Sequence, residues 1–226
     1  MPASKPQPLL AYLEVTKRRT FAMALDWPGW GRAGKTPEAA LAALADYATR
    51  YAAAAEKAGV PFAADVAGQI RVTEEVAGNA TTEFGAPAVF ASGDADPWGG
   101  EEAARAAALL RGAWAVLDGT AASAPAELRK GPRGGGRDRD KMVDHVLAAE
   151  CSYARKIGVK VRQPALTDAA AIADMRQQIL AVVERPAPDG LVVARGWPVR
   201  YAVRRIAWHA LDHAWEMEDR SDRTGT

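Results

Sequence analysis

Histidine and cysteine are both scarce in this chain, with 3 of the first and 1 of the second among 226 residues. The lone cysteine, Cys151, excludes an internal disulfide, cysteine-based zinc fingers and CxxC redox sites. No charge sign dominates either. Lys and Arg total 29 against 28 Asp and Glu, a net charge of +1, which argues against a general binder of nucleic acid or acidic membranes. No apolar run approaches the roughly 18 residues that a membrane span needs. The start, Met1 to Lys5, carries one basic residue and no apolar stretch behind it, so no signal peptide is read there. The strained nucleophile elbow G-x-S-x-G and the phosphate loop GxxxxGK[ST] are missing as well. Together these absences lead us to expect a soluble, cytoplasmic protein. The remainder is ordinary in amount: 49% apolar and 25% charged, enough at this length for a real core in one large domain or two small ones.

The two halves of the chain read differently. Residues 9–16 and 19–25 are short and rich in aliphatic and aromatic side chains, with Lys17-Arg18 between them, which predicts a hairpin. The Pro- and Gly-bearing stretch 26–31 breaks that pattern. Thr36-Pro37 then offers an N-cap followed by a favoured first helical residue. The Ala- and Leu-dense run to about Ala58 predicts one helix, closed by Gly59. Residues 68–76, with Ile70, Val72 and Val76 alternating, predict a third strand. This half is thus a β-β-α-β module of the α+β class. Residues 77–100, rich in Gly and holding Pro87 and Pro97, read as an aperiodic connector, with a domain boundary near residue 97. Four amphipathic helices are predicted beyond it, over about 101–123, 138–158, 167–183 and 198–219. Leu109, Leu110, Trp114 and Leu117 form the stripe of the first, and Ile172, Met175, Ile179 and Val182 that of the third, which Thr167 caps. Four such helices suggest an all-α four-helix bundle. The expected division is therefore 1–97 and 98–226.

The three histidines carry the sharpest signal. His209 and His213 form HxxxH within WHALDHAWEMED, and on a helix positions four apart lie on one face, a turn from each other. Ala202 and Ile206 share that face, so it points into the core. His145 lies in the second long helix beside the core-like Met142, Ala149 and Tyr153. All three imidazoles are thus expected to point inward from two helices. Core histidines without a ligand are the plain alternative, but none of the three is spent on a surface. A neutral three-His site suits a borderline divalent ion such as zinc, nickel or ferrous iron. Three protein ligands leave a position open, the layout of catalytic zinc. Such a position activates bound water or takes an anionic thiolate. Glu216, three residues past His213, stands either as a fourth ligand or as an outer hydrogen-bond acceptor. Glu150, Asp144 and Asp212 are near in sequence, and the last two read as solvated carboxylates.

Basic residues gather close by. The loop Arg129–Arg137 concentrates cations and glycines just before the His145 helix, where Arg133 and Arg137 read either as a clamp for a substrate carboxylate or as solvated charge. Arg205 shares the His209 face. It reads as an ion-pair partner of Glu216 or Glu150, or as a site for an anionic substrate. Trp208 and Trp215 are expected as packing anchors, Trp27 and Trp30 as side chains packed on the helical half, and Cys151 as a small buried hydrophobe.

The order and spacing of His145 in DHVLAAE and His209/His213 in RRIAWHALDHAWEMEDR resemble the DinB-like superfamily, over about residues 98–226. That resemblance implies an up-down-down-up four-helix bundle holding a divalent metal on the three histidines. It also implies an activity of the kind found in thiol-dependent transferases and isomerases, which use bacillithiol, mycothiol or glutathione as cosubstrate. No large second catalytic domain follows, unlike the related sulfoxide synthases. Residues 10–75, with AMALDWPGWGRAGKTPEAALAAL, resemble HicB-like domains. No DNA-binding extension accompanies them, so a packing or dimerisation role is expected, without nucleic acid or membrane as partner. The leading expectation is a metal-dependent S-transferase acting on a small molecule, with a metal-dependent hydrolase as its nearest relative. The alternative is a non-catalytic binding or stress-response protein with a structural three-His site.

Overall fold

The computed structural model describes residues 8–131 and 135–221. Its first turn is set by Thr16, whose hydroxyl donates to the Arg19 carbonyl and accepts from the Arg18 and Arg19 amides. That turn joins β1 (Leu9–Val15) to β2 (Thr20–Ala24) as an antiparallel hairpin, with Val15 opposite Thr20 and Ala11 opposite Ala24. The chain then adds β3 (Gly31–Gly34) to the free side of β2. This strand was not expected, because its sequence, GRAG, has no alternation to read and Gly weakens a strand.

Thr36 caps the following helix by accepting from the Ala39 amide, with Pro37 at the first position. The single helix expected over 37–58 is instead two, α1 (Pro37–Asp46) and α2 (Ala48–Lys57), separated by Tyr47 at φ −88°, ψ 3°. No Gly or Pro marks the break. Tertiary contacts occupy the Tyr47 ring there, with the Arg32 guanidinium 3.9 Å above it and Trp215 edge-on at 5.0 Å. A short 3₁₀ turn (Ala64–Gly68) leads into β4 (Ile70–Ala77), which pairs parallel to β1 and completes a sheet of order β3-β2-β1-β4. The amino-terminal module is thus β-β-β-α-α-β rather than β-β-α-β.

Both faces of the sheet are covered, which is why β2 is buried at every position. Leu9, Ala11, Leu13, Ala22 and Ala24 join the main core with Leu44 and Tyr51. Tyr12, Phe21 and Met23 form a second cluster with Trp208 from the carboxy-terminal helix. The connector also holds structure that its lack of periodicity hides. It contains α3 (Ala80–Phe84), capped by Asn79, and a 3₁₀ turn (Ser92–Ala95). Buried carboxylates tie it down. Glu14 accepts from the Ala88 and Val89 amides and from the Thr82 hydroxyl. Asp94 accepts from the Ala91 amide.

The long helices fall where the periodicity placed them: α4 (Gly100–Ser123), α5 (Arg139–Lys156), α6 (Ala169–Val183) and α7 (Val199–Ser221). Asp168, not Thr167, caps α6 by accepting from the Ala171 amide. Trp98 donates its indole N–H to the Val183 carbonyl, pinning the start of α4 to the end of α6. The chain is thus an α+β protein, a four-stranded sheet followed by several helices. None of its described helices is long and apolar enough to cross a membrane. Helix α7 is buried on nearly every side, from Val199 to Met217. It runs through the middle of the molecule, so polar residues on its inner faces, Arg204, Arg205, His209 and His213, are buried, whereas Asp212, Glu216 and Asp219 reach the surface. Trp27 and Trp30 pack on Tyr51 and Phe62, and the Arg105 guanidinium of α4 lies 4.2 Å over the Trp27 ring. A glycine near them meets a long helix as well. Gly29, at φ +95°, lies so close to α7 that a Cβ there would sit 2.7 Å from Leu211.

The two halves meet most tightly where α2 crosses α4. A Cβ on Gly112 would lie 2.2 Å from the Ala54 carbonyl oxygen, a backbone atom that cannot rotate away, whereas Gly119 on the same helix has no atom within 4 Å. We therefore expect Gly112→Ala to destabilise the protein by about 1–3 kcal/mol through overpacking. Gly119→Ala should instead stabilise it by about 1 kcal/mol through helix propensity. Urea unfolding of the two variants beside the wild type checks the pair, and equal effects would refute the close crossing.

Candidate metal centre

His209 and His213 project from one face of α7, and His145 comes to meet them from α5, set between the buried Met142 and Val146. Their ring centroids stand 5.1, 5.1 and 4.6 Å apart, with two of the three pairs close to perpendicular. One nitrogen from each ring lies within 4.8 Å of the other two, close enough for a single metal ion. His209 and His213 are buried, while His145 is half-buried at the rim.

The electrostatics favour the neutral form of His209 and His145, the form that binds metal. Burial holds the His209 pKa well below the usual value, helped by His213 and by the Arg205 guanidinium. Burial also lowers His145, with the Arg137 guanidinium and His213 adding to it. Nδ1 of His213 lies 3.0 Å from Oε2 of Glu216, whose other oxygen accepts from Arg220 at 2.8 Å. The hydrogen bond to His213 is the first cause that depresses the Glu216 pKa. A carboxylate on Nδ1 selects the tautomer with the lone pair on Nε2 and fixes the ring's direction, the usual support for a metal-binding histidine. Nδ1 of His209 is buried without any hydrogen-bond partner. A buried nitrogen left unpartnered is costly, and a metal ligated through that nitrogen would remove the cost. The donor set and this orphaned atom both fit a divalent metal.

The other residues singled out from the sequence take distinct places. Glu216 faces His213 and Arg220, as an outer acceptor rather than a member of the triad. Glu150 is fully buried elsewhere, accepting from the Trp114 indole at 2.7 Å and facing Arg176 at 3.7 Å, and burial pushes its pKa up to about 6. Asp144 accepts from Gln163, and Asp212 pairs with Arg32 at 2.8 Å. Arg205 pairs with neither Glu216 nor Glu150. Its guanidinium lies 4.9 Å over Tyr153 and 4.7 Å over Trp208. Arg137 is exposed near His145, and Arg133 lies outside the described residues. Cys151 is buried with Sγ 3.4 Å from the Met175 sulfur. Trp208 meets Phe21 of the sheet, and Trp215 meets Tyr47.

Three participants escaped the sequence reading. Arg220 is four residues past Glu216 on α7, a spacing that does signal an ion pair. Tyr153 was read as core, yet its ring stands 5.7 Å from His209 and walls the cluster. Arg204 forms a buried pair with Asp94 at 2.6 Å across 110 positions, which no local pattern announces. Comparison of the chain with protein-family models, curated proteins and solved structures gave no significant match.

Proposed function

We propose that this protein is a divalent-metal-dependent enzyme of the DinB-like type, with the four long helices as its bundle and the sheet-bearing half as a HicB-like packing module. The observation that carries this reading is the convergence of three histidines while the nearest carboxylate, Glu216, is spent on His213 and Arg220. Three neutral protein ligands with no carboxylate among them match an open coordination shell better than a closed structural one.

When bound, a zinc, nickel or ferrous ion here supplies a Lewis-acid position that favours thiolate over thiol. The chain's own residues prepare the place. Glu216, steadied by Arg220, holds the His213 ring in one orientation. Desolvation keeps the His209 ring neutral. The Tyr153 ring, and Trp208 with its ring centroid 6.1 Å from that of His209, exclude water from one side. Arg205 and Arg137 surround the cluster with positive potential, which favours an anionic cosubstrate over a neutral one. The reaction class that follows is transfer of a low-molecular-weight thiol, of the mycothiol or bacillithiol kind, to or from a small electrophile.

The test is spectroscopic. Cobalt-loaded protein titrated with 2-mercaptoethanol should develop thiolate-to-cobalt charge-transfer absorption. A cobalt-loaded protein that shows no change with thiol has a closed shell, and the reading as a non-catalytic protein with a structural site replaces this one.

A further inference from the structure

Three arginines are buried among the described residues, Arg176, Arg204 and Arg205. Two of them have a carboxylate. Arg176 pairs with Asp118 at 2.7 Å, and Arg204 with Asp94 at 2.6 Å. Arg205 has none, although only 7% of its surface is exposed. Its Nη1 is buried without a hydrogen-bond partner, and so is the indole nitrogen of Trp208, three residues on. The carboxylates in its neighbourhood are spent. Glu14, whose charge it feels, already accepts from two amides and a hydroxyl. Glu216 is held by His213 and Arg220. Two aromatic faces offset part of the desolvation of a guanidinium, by about 0.5–2 kcal/mol. They do not satisfy its N–H groups, and a buried charge ordinarily finds an opposite one.

Arg205 stands one helical turn before His209, roughly 6 Å along the axis. Tyr153 touches both, with its ring under the guanidinium at 4.9 Å and 5.7 Å from the His209 ring. An unspent cation therefore adjoins the three-histidine cluster on a shared wall.

We infer that Arg205 is the recognition point for a carboxylate on the ligand of the three-histidine cluster, which makes that ligand a short organic acid whose donor atom lies a few bonds from its carboxylate. The inference rests on the reading of the cluster as a metal site and names the ligand class that site takes. A carboxylate fits better than a phosphate: one edge of a guanidinium pairs both of a carboxylate's oxygens and leaves a phosphate with further oxygens to satisfy. A phosphate calls for more donors than this single fork and one indole supply.

The experiment compares two small thiols, 3-mercaptopropionate and 2-mercaptoethanol, at matched thiolate concentration, titrated into cobalt-loaded protein and followed by charge-transfer absorption. The carboxylated thiol should bind about 10- to 100-fold more tightly in the wild type, the range expected of charge-assisted hydrogen bonds. Arg205→Met should abolish that preference while cobalt content stays the same. Arg205→Lys, which keeps the charge and loses the fork, should retain only part of it and serves if the Met variant does not fold. Equal affinity of the two thiols in the wild type overturns the inference but leaves the metal reading standing. Propionate binding by calorimetry gives a readout that needs no thiol. Heat that is lost in Arg205→Met supports the inference even where neither thiol yields absorption, and no heat in the wild type overturns it. Inorganic phosphate that competes as well as propionate overturns the restriction to carboxylates.

Discussion

Alanine at His145, His209 or His213 is expected to strip a divalent ion that the wild type holds at one per chain. The three rings form the one cluster of metal-binding type found among the described residues, so each supplies a third of the donor set and no neighbour replaces it. The loss should exceed the roughly 10–100-fold that removal of an outer partner costs. Glu216→Gln should fall inside that band, because the amide still accepts from His213 but carries no charge to balance Arg220 or the ion. Mass-spectrometric metal analysis of tag-free protein, incubated with zinc, nickel or ferrous iron, reads all four variants. The ion also adds stability by mass action, about 4 kcal/mol at a thousand times its dissociation constant, so the histidine variants should show no thermal shift on adding metal. The pH dependence follows from the depressed histidines. In the ion-free protein, His145 and His209 resist protonation when folded. The unfolded chain takes up protons at about pH 6.5, so stability falls as pH drops through that value. A wild type that takes up no ion under any of these conditions leaves three core histidines, and the reading as a non-catalytic protein without a functional metal then leads.

The sequence made much of this legible because the helical half obeys one period. Each long helix fell within a few residues of its expected span, and the inward direction of His209 and His213 followed from Ala202 and Ile206 on the same face. The amino-terminal half was less readable for identifiable reasons. Strand β3 is four residues of GRAG, held by pairing to β2 rather than by any pattern of its own. The break at Tyr47 coincides with contacts to Arg32 and Trp215, which come from elsewhere in the chain. The connector looked featureless because its order comes from buried carboxylates, Glu14 reaching across from β1 and Asp94 within it, and not from periodic apolar residues.

At the site itself, ligand types and spacing were visible while partners were not. Whether Glu216 faces the cluster or His213 depends on a rotamer, and Arg220 settles it. Whether Arg205 is paired depends on which carboxylates reach it. Glu150, one of its two expected partners, turned instead to Trp114 and Arg176. Long-range pairing of charges is the part of a structure that local patterns carry least.

Asp94→Ala should be the most damaging change away from the histidines. Asp94 and Arg204 are each only 1% exposed, and their side chains meet at 2.6 Å. Removing the carboxylate leaves a guanidinium in the interior with no charge to answer it, which costs about 3–5 kcal/mol. It also removes the acceptor of the Ala91 amide, and with it the cap of the 3₁₀ turn at Ser92–Ala95. Against a total stability of about 5–15 kcal/mol, that is enough to loosen the connector from α7 and to lower the unfolding midpoint in urea sharply. Asp94→Asn keeps the amide acceptor and loses only the charge, so it should fall between Asp94→Ala and wild type. The double variant Asp94→Leu/Arg204→Met should recover much of the loss, because a buried ion pair replaced as a whole by apolar side chains costs little. Equal stability of Asp94→Ala and wild type would mean that water reaches Arg204 and that the pair does not lock the connector. The pair matters to the site by position. Arg204 precedes Arg205 on the same turn of α7, so the lock that holds the connector also fixes where Arg205 and His209 stand.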